Sequence, residues 1–223
     1  MFPGHPAAGW PLLRAMRPHQ WVKNLLVFIP IFTAHAVGDA TAWIAGLFAF
    51  AAFCATASSI YLVNDATDLG ADRAHARKRL RPYASGALKL STGLTAAILL
   101  ALLGAGLAVA GGILPVIAAY AVMSMAYCLK LKELPLVDVF LLAALYTIRL
   151  FGGGVATGHE LSLWLLAFSG FLFLGLALLK RVAELSATSK TSTAPPGRRG
   201  YTAADASILR IIGCAASFSS SMV

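Results

Sequence analysis

Long apolar runs dominate this chain of 223 residues and constrain its fold more than any other feature. The clearest run, residues 40–63, contains no charged side chain, and a helix of about 20 apolar residues is long enough to cross a bilayer. Hydrophobic residues make up 59% of the chain and charged residues 12%, against roughly 25% charged residues in soluble domains. So little polar surface cannot cover a water-soluble globule. The sequence therefore predicts an all-α, multi-spanning membrane protein and excludes disordered, collagen-like and disulfide-rich classes.

Six membrane spans and a partial seventh are predicted. The first six cover residues 21–37, 40–63, 92–111, 113–129, 134–155 and 161–179. The first span is short and contains Pro30, and proline can kink a helix. The seventh follows Thr202 and is interrupted by two charged residues. We expect residues 1–20 to form a cytoplasmic N-terminal segment and residues 21–223 to form a single transmembrane domain, incomplete at its C-terminus.

Basic residues are confined almost entirely to alternate loops. Sixteen of the 18 Lys and Arg residues precede or begin the first span, or lie in the loops after the second, fourth and sixth spans. None occurs in the loops at residues 34–40, 110–114 and 152–161. Under the positive-inside rule, the N-terminus and the basic loops face the cytoplasm of a bacterial-type inner membrane. This asymmetry explains the net charge of +9, so no nucleic-acid partner is expected. A signal peptide cleaved after Ala36 is the alternative for the first run.

Three of the nine acidic residues lie within eight positions at the end of the second span. On a helix, Asp65, Asp68 and Asp72 share one face, with Asn64 beside Asp68. Like charges at this spacing repel one another unless a cation lies among them, and carboxylates with room for phosphate oxygens suit Mg²⁺. The three aspartates are therefore candidate catalytic and metal-binding residues, and Asn64 is a candidate for phosphate binding. The alternative is that the acids cap a helix or balance the neighbouring arginines.

A basic run follows the acids at residues 73–82. Its Lys78 and Arg81 are candidates for neutralising phosphate oxygens that Mg²⁺ bridges. A metal-binding acidic face followed by cations is what the binding of a diphosphate requires. For the basic run alone, the binding of anionic lipid headgroups is the alternative.

At these residues the sequence resembles a known family. The motif Asn64-Asp65-x-x-Asp68-x-x-x-Asp72, followed by Arg81-Pro82, resembles the first Asp-rich motif of the UbiA superfamily of membrane prenyltransferases. Residues 17–24, Arg-Pro-His-Gln-Trp-Val-Lys-Asn, resemble the opening of one branch of that superfamily. The resemblance extends from about residue 14 to residue 201, which is most of the chain.

The resemblance implies a helical bundle whose central cavity opens sideways to the phospholipid bilayer and is capped by cytoplasmic loops. It implies Mg²⁺ as the cofactor, an isoprenoid (di)phosphate lipid as a substrate, and transfer of the prenyl chain to an aromatic ring or another acceptor. It also implies phosphate-binding roles for Arg17, Lys23 and Asn24.

The second Asp-rich motif of aromatic prenyltransferases is not found between the fourth and fifth spans. Only Asp138 remains there, preceded by Lys130 and Lys132. All three are candidate phosphate-site residues, since a lysine binds phosphate as a point charge. This departure resembles the branch that includes polyprenyl-phosphate phosphoribosyltransferases, in which phosphoribosyl pyrophosphate is the donor and a lipid phosphate is the acceptor. Ordinary loop charge is the alternative for the two lysines.

Arg149 lies deep in the fifth span, eleven residues after Asp138 and on the same helix face. A charge at membrane depth usually faces a polar cavity or a partner, so Arg149 is predicted to be a phosphate-binding or structural residue. An internal salt bridge is the alternative. The glycines at residues 152–154 are expected to break or bend the helix, or to allow close packing.

Together these features predict a Mg²⁺-dependent membrane transferase that moves a prenyl group, with phosphoribosyl transfer to a polyprenyl phosphate as the alternative reaction. A transporter is the alternative from another class, because intramembrane charge and glycine-interrupted helices occur there too. A transport site is expected near the bilayer midplane, whereas the acids gather at the predicted cytoplasmic edge. Members of the family usually have more spans than this chain, so we expect a truncated bundle.

Overall fold

The computed structural model of the chain describes residues 11–190, 201 and 205–222, and every regular element within them is helical. The all-α prediction is confirmed for this part of the chain. Residues 1–10 of the predicted N-terminal segment lie outside the description, as do residues 191–200, 202–204 and 223. The α-helices are α1 (Pro11–Met16), α2 (Ile29–Thr33), α3 (Ala40–Thr67), α4 (Leu69–Ala74), α5 (Leu90–Ala110), α6 (Leu114–Leu129), α7 (Val137–Thr157), α8 (Leu163–Lys190) and α9 (Asp205–Met222). Short 3-10 helices cover Pro18–Phe28, Lys78–Leu80 and Leu131–Glu133.

Four helices in the described part of the chain are long and apolar enough to cross a membrane, namely α3, α5, α7 and the Leu163–Ser186 part of α8. The predicted fourth span forms α6, whose 16 residues fall short of the usual length. The predicted first span is not one helix. Its 3-10 helix gives way to α2 beside Pro30, which has no N–H to donate and whose ring crowds the preceding turn. The count of six spans plus a partial seventh is therefore not confirmed, although α9 forms where the seventh is predicted.

Helix α3 lies at the centre of the bundle's first part, in contact with α5, α6, α7 and the 3-10 helix Pro18–Phe28. Its approach to α5 is close, because a methyl group added to Gly104 would lie 2.5 Å from the Thr56 hydroxyl oxygen. The Ser59 hydroxyl donates a hydrogen bond of 2.8 Å to the carbonyl of Ala97 on α5. Contacts on several sides therefore fix the position of the residues at the C-terminal end of α3.

The C-terminal part of the described chain packs around α8, which contacts both α7 and α9. Its buried core consists of Val139, Ala177, Leu178, Val182, Leu185, Tyr201 and Leu209. Only 22% of the spanning window of α5 is buried inside the bundle, and the figure for α8 is the same. The outward faces of these two helices are apolar and suit contact with lipid.

Three consecutive glycines in α7 allow a close approach instead of a break. The helix continues through Gly152, Gly153 and Gly154 and ends at Thr157. A methyl group added to Gly153 would overlap the backbone carbonyl of Val27 in the 3-10 helix Pro18–Phe28. The close-packing alternative is the one that the structure supports.

We expect Gly153→Ala to destabilise the bundle by about 1–3 kcal/mol, because the added methyl group meets the Val27 backbone, which cannot rotate away. The melting temperature of the purified protein in detergent measures the effect. Gly170→Ala on α8 is the matched control, since nothing lies within 4 Å of a methyl group added there. The control should melt at or above the wild-type temperature, because alanine favours helix over glycine. Equal melting temperatures of the two variants would contradict the close approach.

Candidate functional site

The predicted acidic residues lie where α3 ends. Helix α3 ends at Thr67 and α4 begins at Leu69, yet the Asp72 amide donates a 2.8 Å hydrogen bond to the Asp68 carbonyl, so the helical path continues across the junction. At about 100° per residue, the side chains of Asp65 and Asp72 are about 20° apart, and that of Asp68 is about 60° from Asp65. Asp65 and Asp72 therefore point to the same side, and Asp68 points to its flank.

One guanidinium group joins the two buried carboxylates. Arg81 Nη1 lies 3.2 Å from Asp65 Oδ1 and 2.7 Å from Asp72 Oδ2. Arg17 Nη2 lies 2.6 Å from the same Asp65 oxygen, and its guanidinium group stands 5.1 Å from the centroid of the Tyr61 ring. The side chains of Asp65 and Asp72 are 2% and 1% exposed. Carboxylates buried so completely need these cations to offset their lost hydration.

Asp68 pairs instead with the connection between α6 and α7. Lys132 Nζ lies 3.4 Å from Asp68 Oδ2, and both side chains are about one-fifth exposed. The predicted lysine-rich loop therefore lies beside the acidic site. The three aspartates thus take their cations from three separate segments, which are the N-terminal segment, the loop before α5 and the loop before α7.

The prediction that all three aspartates hold one metal ion is not confirmed. Within the described ranges, no group of three or more His, Cys, Asp or Glu residues is arranged to hold a metal ion. Asp65 and Asp72 nevertheless share one cation, and Asp72 Oδ1 is buried with no hydrogen-bond partner among the described residues. Mg²⁺ commonly takes one or two carboxylates and completes its shell with phosphate oxygens and water. The Asp65–Asp72 pair fits that ion, whereas Asp68 lies to one side of the pair.

Arg149 is buried within α7 among neutral groups. Its Nε donates to Asn24 Oδ1 at 2.8 Å, its Nη2 donates to the Tyr120 hydroxyl at 3.0 Å, and its Nη1 donates to the carbonyl of Leu145. The guanidinium group also lies 4.8 Å and 5.6 Å from the ring centroids of Tyr120 and Tyr146. Among the described residues no carboxylate forms an ion pair with Arg149, so the salt-bridge alternative finds no partner there.

Lys23 and Asn24 connect the N-terminal segment to this buried arginine. Asn24 is 1% exposed, and its amide nitrogen donates to Cys54 Sγ at 3.2 Å while its oxygen accepts from Arg149. Lys23 is half-buried, with its ammonium group 5.7 Å from the centroid of the Tyr146 ring. The structure therefore brings Lys23, Asn24 and Arg149 together, and their roles in phosphate binding stay predictions.

Asp138 belongs to a separate buried cluster. Its Oδ2 lies 2.6 Å from Arg181 Nη2, and its Oδ1 accepts a hydrogen bond from the Tyr201 hydroxyl. The same hydroxyl accepts a hydrogen bond of 2.7 Å from the backbone N–H of Leu136. Leu136 lies just before α7 and has a φ of 66°. Arg181 also pairs with Glu184. Asp138 is completely buried and paired with protein groups, so its predicted role in phosphate binding is not confirmed and stays a prediction.

The Asp138 cluster contains two residues that sequence reasoning missed. Burial and the hydrogen bond to Asp138 raise the pKa of Tyr201 to about 12, so its hydroxyl keeps the proton that it donates at neutral pH. Tyr201 gives no local signal in the sequence. Arg181 was assigned to a cytoplasmic loop by its charge, although its spacing from Glu184 is the i, i+3 spacing of an ion pair on a helix.

The remaining predicted site residues make fewer contacts. The carbonyl of Asn64 accepts the Asp68 amide and the Thr67 hydroxyl, which completes the end of α3. The side chains of Lys78 and Lys130 are exposed, and neither forms an ion pair within the part of the chain that the structure describes.

Comparisons of sequence identify relatives of this chain. The model of the UbiA prenyltransferase family matches residues 25–216. The nodulation protein NoeC of Azorhizobium caulinodans is 36% identical over 209 residues, which cover 92% of this chain and 67% of that protein. The decaprenyl-phosphate phosphoribosyltransferase of Corynebacterium glutamicum is 38% identical over 186 residues, covering 81% of this chain and 56% of that protein. An uncharacterized protein of Sinorhizobium fredii, y4nM, is 38% identical over 204 residues, covering 90% of this chain and 39% of that protein. The chain thus spans about two-fifths to two-thirds of the length of these curated relatives.

Solved structures show the same fold. A UbiA homologue from Archaeoglobus fulgidus bound to GPP and Mg²⁺ superposes with a TM-score of 0.72 at 17% identity, covering 94% of this chain and 76% of that chain. A digeranylgeranylglyceryl phosphate synthase superposes with a TM-score of 0.65 at 19% identity, covering 93% of this chain and 75% of that chain. At such identities the likeness establishes the helical bundle and nothing finer.

We expect Tyr201→Phe to destabilise the protein by about 1–3 kcal/mol, because it removes the hydroxyl that accepts from the Leu136 N–H and donates to the buried Asp138 carboxylate. The free energy of unfolding in detergent measures the loss. Tyr83→Phe is the matched control, since the Tyr83 hydroxyl is buried with no hydrogen-bond partner among the described residues. The control should be neutral or slightly stabilising. A similar loss in both variants would show that the Tyr201 hydroxyl has no special role.

Proposed function

The chain belongs to the UbiA prenyltransferase family, and from this premise we propose that it is a Mg²⁺-dependent integral membrane transferase acting on a polyprenyl phosphate or diphosphate. The observation that carries the proposal is the pair of buried carboxylates, Asp65 and Asp72, joined by one cation at the end of a spanning helix. A diphosphate with its metal ion has the charge pattern that fits such a site. From the distribution of Lys and Arg we also propose that this end of the bundle faces the cytoplasm.

Two reactions are compatible with the site. UbiA homologues of the same fold bind DMAPP or GPP together with Mg²⁺, which supports prenyl transfer from a diphosphate. Relatives named decaprenyl-phosphate phosphoribosyltransferase are 37–39% identical over 81–86% of this chain, which supports phosphoribosyl transfer to a polyprenyl phosphate. The higher identity of the second group, and the lysines in the loop before α7, favour phosphoribosyl transfer. In that reaction a lipid phosphate oxygen bonds to ribose C1 as the bond from C1 to the diphosphate breaks.

The aspartates and the cations around them have complementary roles in this proposal. Asp65 and Asp72 would hold Mg²⁺, which when bound supplies a Lewis acid that stabilises the charge on the departing diphosphate. Arg17 and Arg81 would bind phosphate oxygens through paired N–H groups, and Lys132 would act as a point charge. The cations that now neutralise the aspartates are thus the same groups that would bind the substrate.

This double use of the cations couples metal and substrate binding. In the structure three carboxylates pair with three cations, so their charges balance. Asp65 and Asp72 could hold a metal ion only once Arg81 had left both of them, and Arg81 could bind a diphosphate alone only by leaving them unpaired. With both ligands bound, the two carboxylates would hold the metal ion and the cations would pair with the phosphates. Each ligand therefore strengthens the binding of the other, and such coupling is reciprocal.

The groups deeper in the bundle extend this site in the proposal. Lys23 and Arg149 place two further positive charges behind the acidic residues, with Asn24 and Tyr146 holding their positions. These charges would keep a phosphorylated headgroup at this depth. The apolar helices would hold the polyprenyl chain and exclude water from the reacting carbon.

We expect Asp65→Asn and Asp72→Asn to lower Mg²⁺-dependent transfer by about 100-fold or more, the scale on which lost electrostatic stabilisation slows a reaction. The assay supplies membranes with polyprenyl phosphate plus phosphoribosyl pyrophosphate, or with prenyl diphosphate plus aromatic acids, and so separates the two reactions. Asp39→Asn is the matched control, because Asp39 caps the other end of α3 by accepting the Thr41 amide and asparagine caps equally well. Normal turnover by a stably inserted Asp65→Asn or Asp72→Asn variant would overturn the proposal.

We expect Arg81→Gln to raise the affinity for Mn²⁺, used as a probe for Mg²⁺, in the absence of diphosphate, because two buried carboxylates lose their shared cation. In the wild-type protein, inorganic diphosphate should raise Mn²⁺ affinity about 5-fold to 150-fold, the usual range of coupling between sites. Arg81→Gln should lose most of that coupling. Equilibrium dialysis, which counts only protein-bound metal, measures both effects.

Arg73→Gln is the control for this coupling experiment, since Arg73 is exposed and forms no ion pair in the described ranges. It should match the wild-type protein in both measurements. Unchanged Mn²⁺ affinity in Arg81→Gln would show that the guanidinium group does not compete with the metal ion.

A further inference from the structure

A cavity of about 580 Å³ lies next to the acidic site, between α1 and the loop that precedes α5. Its lining includes four arginines, Arg14, Arg17, Arg77 and Arg81, and Asp65 is the acidic residue among the lining residues. Arg17 and Arg81 are both paired with Asp65. The cavity is therefore shared between residues that the proposed function uses and residues that it does not.

The two arginines of this cavity that have no role in the proposed function carry positive charge that no carboxylate in the described ranges neutralises. Arg14 and Arg77 are both exposed, and in the stretches that the structure describes no carboxylate forms an ion pair with either. They stand on different segments, one on α1 and the other in the loop before the 3-10 helix Lys78–Leu80, and they line the same cavity. Positive charges converging from two segments suit a phosphate group, which guanidinium groups bind through paired N–H donors.

The same cavity also has an apolar lining. Leu13 precedes Arg14 and Leu80 precedes Arg81, and these leucines are 49% and 67% exposed. Exposed leucine side chains are unfavourable in water and favourable against an acyl chain. The cavity includes Asp65 and therefore lies at the C-terminal end of the spanning helix α3. A soluble diphosphate would use the arginines and leave the leucines in water, whereas a phospholipid uses both.

We propose that this cavity binds the headgroup phosphate of an anionic phospholipid, with Arg14 and Arg77 as the phosphate-binding residues and Leu13 and Leu80 against its acyl chains. The bound lipid would contact both α1 and the loop before α5 and so keep both segments at the membrane surface. Arg14 and Arg77 have no part in the proposed transferase reaction, so the lipid site stands whether or not that reaction is confirmed.

The test compares lipid binding by full-length wild-type protein and variants in detergent. Native mass spectrometry and melting temperature are recorded with added phosphatidylglycerol or phosphatidylcholine. The Arg14→Gln/Arg77→Gln variant removes two charges from the cavity. The matched control is Arg73→Gln/Arg79→Gln. It removes two exposed arginines near the same loop that do not line the cavity.

Wild-type protein should bind phosphatidylglycerol more tightly than phosphatidylcholine and melt at a higher temperature with it. Two surface cations near a headgroup together contribute about a 30-fold change in affinity, so the Arg14→Gln/Arg77→Gln variant should bind phosphatidylglycerol about 30-fold more weakly. The control variant should bind as the wild-type protein does. A melting temperature with phosphatidylcholine equal to that of the wild type shows that the variant is folded.

A second variant, Leu13→Ser/Leu80→Ser, tests the apolar part and should weaken binding of the two-chain lipid while keeping the preference for its anionic headgroup. Two results would each overturn the proposal. They are equal binding of the two lipids by wild-type protein and an equal loss in the control variant.

Discussion

The arrangement of the candidate site depends on the neutralisation of two carboxylates that are almost completely buried. Asp65 and Asp72 stand at the end of α3, and Arg81 contacts both of them. Removing one member of a buried ion pair leaves an uncompensated charge, which costs several kcal/mol. The loop that carries Arg81 and the N-terminal segment that carries Arg17 are therefore held against α3 by charge as well as by packing. Ion pairs therefore hold this end of the bundle together, although the chain as a whole is mostly apolar.

Buried charges in this protein fall into two kinds, which differ in how completely protein groups pair them. The carboxylate of Asp138 pairs with Arg181 through one oxygen and accepts a hydrogen bond from the Tyr201 hydroxyl through the other. This cluster joins α7 to α8. By contrast, Asp72 keeps one buried oxygen without a partner in the described ranges, and Arg149 is paired there only with neutral groups. A charged ligand can pair with those buried groups whose charge or hydrogen bonding the protein leaves unsatisfied.

The sequence alone was sufficient to predict an all-α membrane protein, the location of the acidic residues and the depth of Arg149 in its helix. Those predictions rest on local patterns, namely apolar runs, helical spacing and the cost of a charge at membrane depth. The surroundings of Asp138 could not be predicted in this way, because Arg181 and Tyr201 lie 43 and 63 residues further along the chain and no local pattern joins them to it. The predicted span count is not confirmed at Pro30 and at α6 for a related reason. Hydropathy marks an apolar run, whereas proline and loop positions decide whether the run forms one helix of full length.

Asp68 differs from the other two aspartates in its ion-pair partner and in its exposure. On a regular helix the three side chains lie within about 60° of one another, yet Asp68 pairs with Lys132 instead of Arg81. The site therefore has a buried part, with two carboxylates and one shared guanidinium group, and a second part, with one carboxylate and one lysine that are each about one-fifth exposed. A partly exposed ion pair is weak and opens easily, whereas the buried carboxylates stay paired until another cation replaces Arg81. Asp68 is therefore the aspartate that exchanges its cation most readily.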